Sequence, residues 1–206
     1  PITGDWDGDG ITDVGIVREG KRYLDLNGNR KWDGTSGGDS LVSFGATTDK
    51  PVTGDWNGDG VTDIGIFRGG YWFLDDNGNG KWDGTSGGDA RFGFGSTNDI
   101  PITGDWNNDG MTDVGVVRNG NWYLDLNGNR VWNQVAGGDA LFGFGSTTDI
   151  PLSGVWGQAS IPMSSMMAPQ SETVVVSEIS QDNLSPIDKK SFKKWLKTQT
   201  RRIRRS

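Results

Sequence analysis

The chain has 206 residues and a formal net charge of -7 at pH 7, with 34 glycines, 10 tryptophans and neither cysteine nor histidine. Those absences exclude disulfides, thiol nucleophiles, soft-metal sites and every catalytic arrangement built on imidazole, leaving oxygen as the donor for any metal. The charge is divided, since residues 1–157 hold 23 acidic against 11 basic side chains (net -12) while residues 158–206 hold 4 against 9 (net +5). Nucleic acid is therefore not an expected partner of the acidic part. No apolar run approaches the roughly 20 residues of a membrane span. The chain opens on Pro1 in the middle of a repeat, without Met or a signal peptide, and reads as a segment whose targeting information lies outside it.

The first element is the acidic stretch Gly4-Asp5-Trp6-Asp7-Gly8-Asp9-Gly10-Ile11-Thr12-Asp13. Oxygen side chains at positions 1, 3, 5 and 9 of a nine-residue loop are spaced as in a calcium loop, with a main-chain carbonyl expected at position 7. Four carboxylates on one tight turn repel one another unless a cation neutralises them. The expected ligands are Asp5, Asp7, Asp9 and Asp13 with the carbonyl of Ile11. The stretch recurs fifty residues later as Asp55, Asn57, Asp59, Val61 and Asp63, and again as Asp105, Asn107, Asp109, Met111 and Asp113. Position 12 holds Ile16, inside the apolar run Val14 to Val17, so the loop is expected to enter a strand and not a helix.

A second candidate loop follows in each period: Asp25, Asn27, Asn29 and Asp33; then Asp75, Asn77, Asn79 and Asp83; then Asp125, Asn127, Asn129 and Asn133. It has the same oxygen spacing but fewer carboxylates, and its Asn-Gly and Gly-Asn pairs equally suit a plain hairpin turn. Calcium is the expected occupant, bound more weakly where Asn133 replaces an acid. Asp39, Asp89 and Asp139 each follow a Gly-Gly pair and read as turn caps, with contact to an ion as the alternative. Trp6, Trp56, Trp106 and Trp156 read as core, because Trp156 persists where Val155, Gly157 and Ala159 stand in the places of metal ligands.

The three copies, starting at Pro1, Pro51 and Pro101, match without an insertion. Strand-length apolar stretches at Val14 to Arg18, Arg22 to Leu26, Ser40 to Phe44 and Pro51 to Trp56 predict about four strands per period. The expected fold class is all-β: three four-stranded antiparallel blades of β-propeller type in a partial or open ring. Pro151 to Trp156 reads as a closing strand of the third repeat, ending the repeat domain at residue 157. Residues 158–185, containing Ser, Met and Pro, read as a linker with an isolated strand at Thr173 to Ser177. Residues 186–206 predict a short basic amphipathic helix with Phe192, Trp195, Leu196 and Ile203 near one face.

Phe44-Gly45 before Pro51, together with three acidic loops in register, resembles the FG-GAP repeat family, including bacterial VCBS-type repeats and the integrin alpha-chain propeller. The resemblance covers residues 1 to about 157 and implies a β-propeller whose loops bind calcium, in extracellular proteins of adhesion or carbohydrate recognition. A period of fifty, an Asn-rich second loop and three copies depart from that pattern. The expected function is a non-enzymatic calcium-binding module, secreted or at the cell surface, with a protein or glycan ligand. Further blades are expected upstream or from another chain. Lectin-type sugar binding, or an accessory role in a larger secreted hydrolase, are the alternatives.

Overall fold

The computed structural model describes residues 1–154, so the expected linker, the basic helix and Trp156 lie outside the described residues. The described part is all-β, and among these residues helical structure is limited to three single 3-10 turns at Thr35–Gly37, Thr85–Gly87 and Val135–Gly137. Each repeat forms one four-stranded antiparallel sheet with its strands in chain order. The first contains β1 (Ile2–Gly4), β2 (Asp13–Arg18), β3 (Lys21–Leu24) and β4 (Ser40–Ser43). The second contains β5 (Lys50–Gly54), β6 (Asp63–Arg68), β7 (Tyr71–Leu74) and β8 (Ala90–Gly93). The third contains β9 (Ile100–Gly104), β10 (Asp113–Arg118), β11 (Asn121–Leu124) and β12 (Ala140–Gly143).

Local chemistry explains the layout. The hairpin between the second and third strands of each sheet turns on two residues with positive φ, such as Asn119 (52°) and Gly120 (75°). That is the geometry a right-twisted two-residue hairpin requires. Register is fixed by paired positions such as Gly15 with Leu24 and Gly4 with Asp13, which holds the acidic loop between β1 and β2.

Two expectations shift. The strand at Pro51 to Gly54 pairs with β6, the strand after it, so each sheet starts at its own Pro and does not borrow the next one. Among the described residues Pro151 to Gly154 form no strand, and the third sheet has β9 as its first strand; the rest of the expected closing strand, Val155 and Trp156, lies outside the described residues.

The core lies between consecutive sheets. Phe44 of the first repeat packs with Ile64 and Ile66 of the second, and Phe94 of the second packs with Val114 and Val116 of the third. Each such burial contributes on the order of 1.5–3 kcal/mol. The first five residues of β6 and β10 are buried, whereas β2 alternates. Val14 and Ile16 are 53% and 43% exposed where Ile64 and Ile66 are 4% and 3%. At the other end Phe144 is 74% exposed where Phe44 and Phe94 are 3% and 2%. The two outer faces thus carry the halves of an inter-repeat contact that is closed twice inside the array.

Polar contacts cross the same boundaries. Arg68 donates Nε and Nη2 to Asp49 of the preceding repeat, both at 2.6 Å, and Arg118 does the same to Asp99 at 2.7 Å. These bonds hold the Asp49 carboxyl below the usual carboxylate range and raise both guanidinium values. Arg22 is fully buried and donates to Phe44 O within its repeat and to Gly65 O of the next at 2.8 Å, while its Nε has no partner. Burial lowers its pKa to about 10. In the other repeats a tryptophan stands there, with Trp72 Nε1 donating to Phe94 O at 2.8 Å and Trp122 Nε1 to Phe144 O at 2.9 Å.

Candidate functional site

Each acidic loop runs from the first to the second strand of its sheet, with the ninth-position aspartate as the first residue of the second strand. The turn is built by its own side chains. Asp5 Oδ1 accepts the amides of Gly8 (2.7 Å) and Asp9 (3.1 Å), and Oδ2 accepts that of Gly10 (2.7 Å). Asp7 Oδ1 accepts from Asp9 at 3.1 Å, and Asp9 Oδ1 from Ile11 at 2.7 Å. The second repeat repeats this pattern through Asp55, Asn57, Asp59 and the Val61 amide. The third does so through Asp105, Asn107, Asp109 and the Met111 amide, with Asn108 at φ 62° in the place of Gly8.

Asp13, Asp63 and Asp113 close the loops. Each is buried and accepts a tryptophan amide, from Trp6 and Trp56 at 3.4 Å and from Trp106 at 3.0 Å. In the first repeat Asp5, Asp7 and Asp13 bring one carboxylate oxygen each within 4.8 Å of one another. In the other repeats Asn57 and Asn107 supply a neutral oxygen at the second of these places. The second loop of the same repeat abuts this cluster: a Cβ built on Gly28 would lie 3.3 Å from Asp13 Oδ1, and on Gly78 3.0 Å from Asp63 Oδ1.

The electrostatics follow from that crowding. Burial pushes the Asp63 carboxyl up to about 7, and the charges of Asp75, Asp59 and Asp55 add to it. Burial likewise pushes Asp113 to about 7, with Asp109, Asp125 and Asp105 adding, and Asp13 is raised by burial and then by Asp7, Asp9 and Asp25. Opposing this, the tryptophan amides favour the charged forms. A donor set of hard oxygens, mutually repelling and partly buried, fits a divalent cation of the calcium class.

The Asn-rich loops share the turn pattern of the acidic loops and differ at their closing residue. Asn29 Oδ1 accepts the Lys31 amide at 2.9 Å, and Asn27 Oδ1 accepts that of Asn29 at 3.1 Å. Asp25 Oδ2 accepts the Arg30 amide at 2.6 Å. The closing residues Asp33, Asp83 and Asn133 are exposed, and each accepts from the side-chain amide of Asn29, Asn79 or Asn129. Asp75 and Asp125 are raised by burial, with Asp89 and Asp83 adding to the first and Asp139 to the second. Asp39, Asp89 and Asp139 are buried and accept the amides of Asp33, Asp83 and Asn133, the capping role expected of them.

Sequence reasoning passed over the residues that join repeats. Asp5 N–H donates to Thr62 Oγ1 at 2.9 Å while Thr62 N–H donates to Asp5 O at 2.7 Å, and Asp55 with Thr112 repeats the exchange at the same distances. The signal was available, because threonine stands at position 8 of all three loops. Trp6 and Trp56 are core, as expected, and Trp106 is half-buried. Trp82 and Trp132 pack edge-on against Phe73 and Phe44, and against Tyr123 and Phe94, filling the inter-sheet space.

No protein family, curated protein or solved structure matches the chain.

Proposed function

We propose that the repeats form a calcium-stabilised, non-catalytic interaction module whose three sheets are blades of propeller type. The observation that carries the reading is the Asp5, Asp7 and Asp13 cluster, with oxygens within 4.8 Å, in a loop whose plan recurs in both later repeats. Asp5, Asp7, Asp9 and Asp13, and their counterparts, would hold the ion. Calcium there neutralises the charge that burial and mutual repulsion make costly. The FG-GAP resemblance supports the same assignment, and calcium loops of modest affinity suit extracellular concentrations and a secreted or surface-bound protein.

The end faces support a partner made of like repeats. Val14, Ile16 and Arg18 at one end, and Phe144 and Asp149 at the other, match residues that pair across the internal boundaries. Further blades, from the same or another chain, would cover them, and the assembled surface would present loops to a protein or glycan on a cell surface or matrix.

The test is calorimetric melting of the full chain with calcium and with chelator. An ion at 100 times its dissociation constant adds about 2.7 kcal/mol per independent site. A rise in Tm of several degrees is expected, and an unchanged Tm overturns the reading.

A further inference from the structure

A carboxylate oxygen buried without a hydrogen-bond donor is costly, and here it recurs at one place in two repeats. Asp39 and Asp89, each 5% exposed, spend Oδ2 on the amides of Asp33 and Asp83 and leave Oδ1 buried with no partner. Asp25 Oδ1, in a residue 6% exposed, is also buried and without a partner. In the third repeat the counterpart Asp139 Oδ1 lies 3.3 Å from Asn127 Nδ2, at the third position of the Asn-rich loop. The same segment is tied down in the first repeat, with Asn27 Nδ2 donating to Gly37 O at 3.0 Å.

We infer that Asp39 and Asp89 are ligands, not only caps, of a second class of divalent-cation site, formed with Asp25 and Asn27 in the first repeat and Asp75 and Asn77 in the second. The inference rests on the calcium reading above and adds residues that the nine-residue spacing leaves out. It moves the closing acid of the site. Asp33 is exposed and engaged by the Asn29 side-chain amide at 2.6 Å, whereas Asp39 is buried and keeps one oxygen without a partner. Hard, charged oxygen on a turn selects a cation such as Ca²⁺ over softer metals. In the third repeat Asn127 donates to the corresponding oxygen, so that copy binds more weakly.

The experiment is a calorimetric Ca²⁺ titration of the full chain, comparing wild type with Asp39→Asn/Asp89→Asn and with Asp33→Asn/Asp83→Asn. Asparagine can still accept the Asp33 or Asp83 amide, so the capping bond is kept. The first variant should lose about two bound ions, or bind them about 10- to 100-fold more weakly, and the second should keep them. Full retention in Asp39→Asn/Asp89→Asn overturns the inference while leaving the acidic-loop sites standing, and so does equal loss in both variants. A wild type that binds no Ca²⁺ sinks the proposed function and this site together. Should the double variant not fold, Asp39→Asn alone is titrated: loss of one ion supports the site and none refutes it.

Discussion

Replacing Asp63 by Asn should change stability in opposite directions with and without calcium. The carboxyl is 5% exposed, faces three other acids, and sits at about 7 against an ordinary 3.8. At about 1.36 kcal/mol per pKa unit, ionising it in the metal-free fold costs at most about 4 kcal/mol. The sign follows from proton counting. Between about pH 4 and pH 7 the metal-free native state holds a proton that the unfolded chain has released, so stability falls as pH rises through that window and the loss is complete above it. Asn cannot ionise and can still accept the Trp56 amide now held at 3.4 Å. In chelator at pH 7.5 the variant should therefore be more stable, by about 1–3 kcal/mol, with a flatter pH profile below 7. With calcium it has lost a charged ligand and should melt below wild type. Urea denaturation at pH 5 and 7.5, in chelator and in calcium, reads all four conditions. A loss of equal size in chelator and calcium would refute the reasoning and reduce Asp63 to a hydrogen-bonding residue.

Arg22→Trp installs the residue that the other two repeats carry and removes a buried charge whose Nε has no partner; the paired Val17 and Val42 are smaller than Phe67 and Phe92, which flank Trp72 in the second repeat. Chemical denaturation should show a gain of about 1–3 kcal/mol, and a loss would mean that the bond to Gly65 O outweighs the desolvation. Gly54→Ala places a Cβ 2.5 Å from Thr112 Cγ2 and 2.7 Å from the Trp56 ring, so it should destabilise by about 1–3 kcal/mol. Adding Thr112→Ser, which removes that methyl and keeps the hydroxyl bonded to Asp55, should recover part of the loss in the same melting assay.

What could be read from sequence is what lies within one period. The acidic loops, the Asn-rich loops and the strands from Val14, Arg22 and Ser40 follow from spacing and alternation alone, and they fall within two residues of the observed elements. Contacts that cross from one period to the next leave a weaker trace, such as the threonine at position 8 of each loop. Thr62 serves as the partner of Asp5, and Arg22, which the sequence places at the start of a strand, is fully buried and bonded to Gly65 O of the next repeat. Asp39 falls outside the nine-residue loop that the spacing defines, so its unpartnered oxygen had no counterpart in the motif. The strand at Pro51 was placed one sheet early for a related reason: proximity in sequence favours both neighbours, and only the ladder with β6 decides between them.

On the proposed reading, the location of the acidic loops would give calcium a role beyond local charge balance. Asp5 supplies its side chain to the candidate ion and its backbone to Thr62 of the following repeat, at 2.9 and 2.7 Å. An ion at Asp5 would therefore act on a segment that is itself the joint between two sheets, and the same would hold at Asp55 and Thr112. In a linear array, stability is the sum of repeat terms and nearest-neighbour terms, and an ion bound at a joint adds to both.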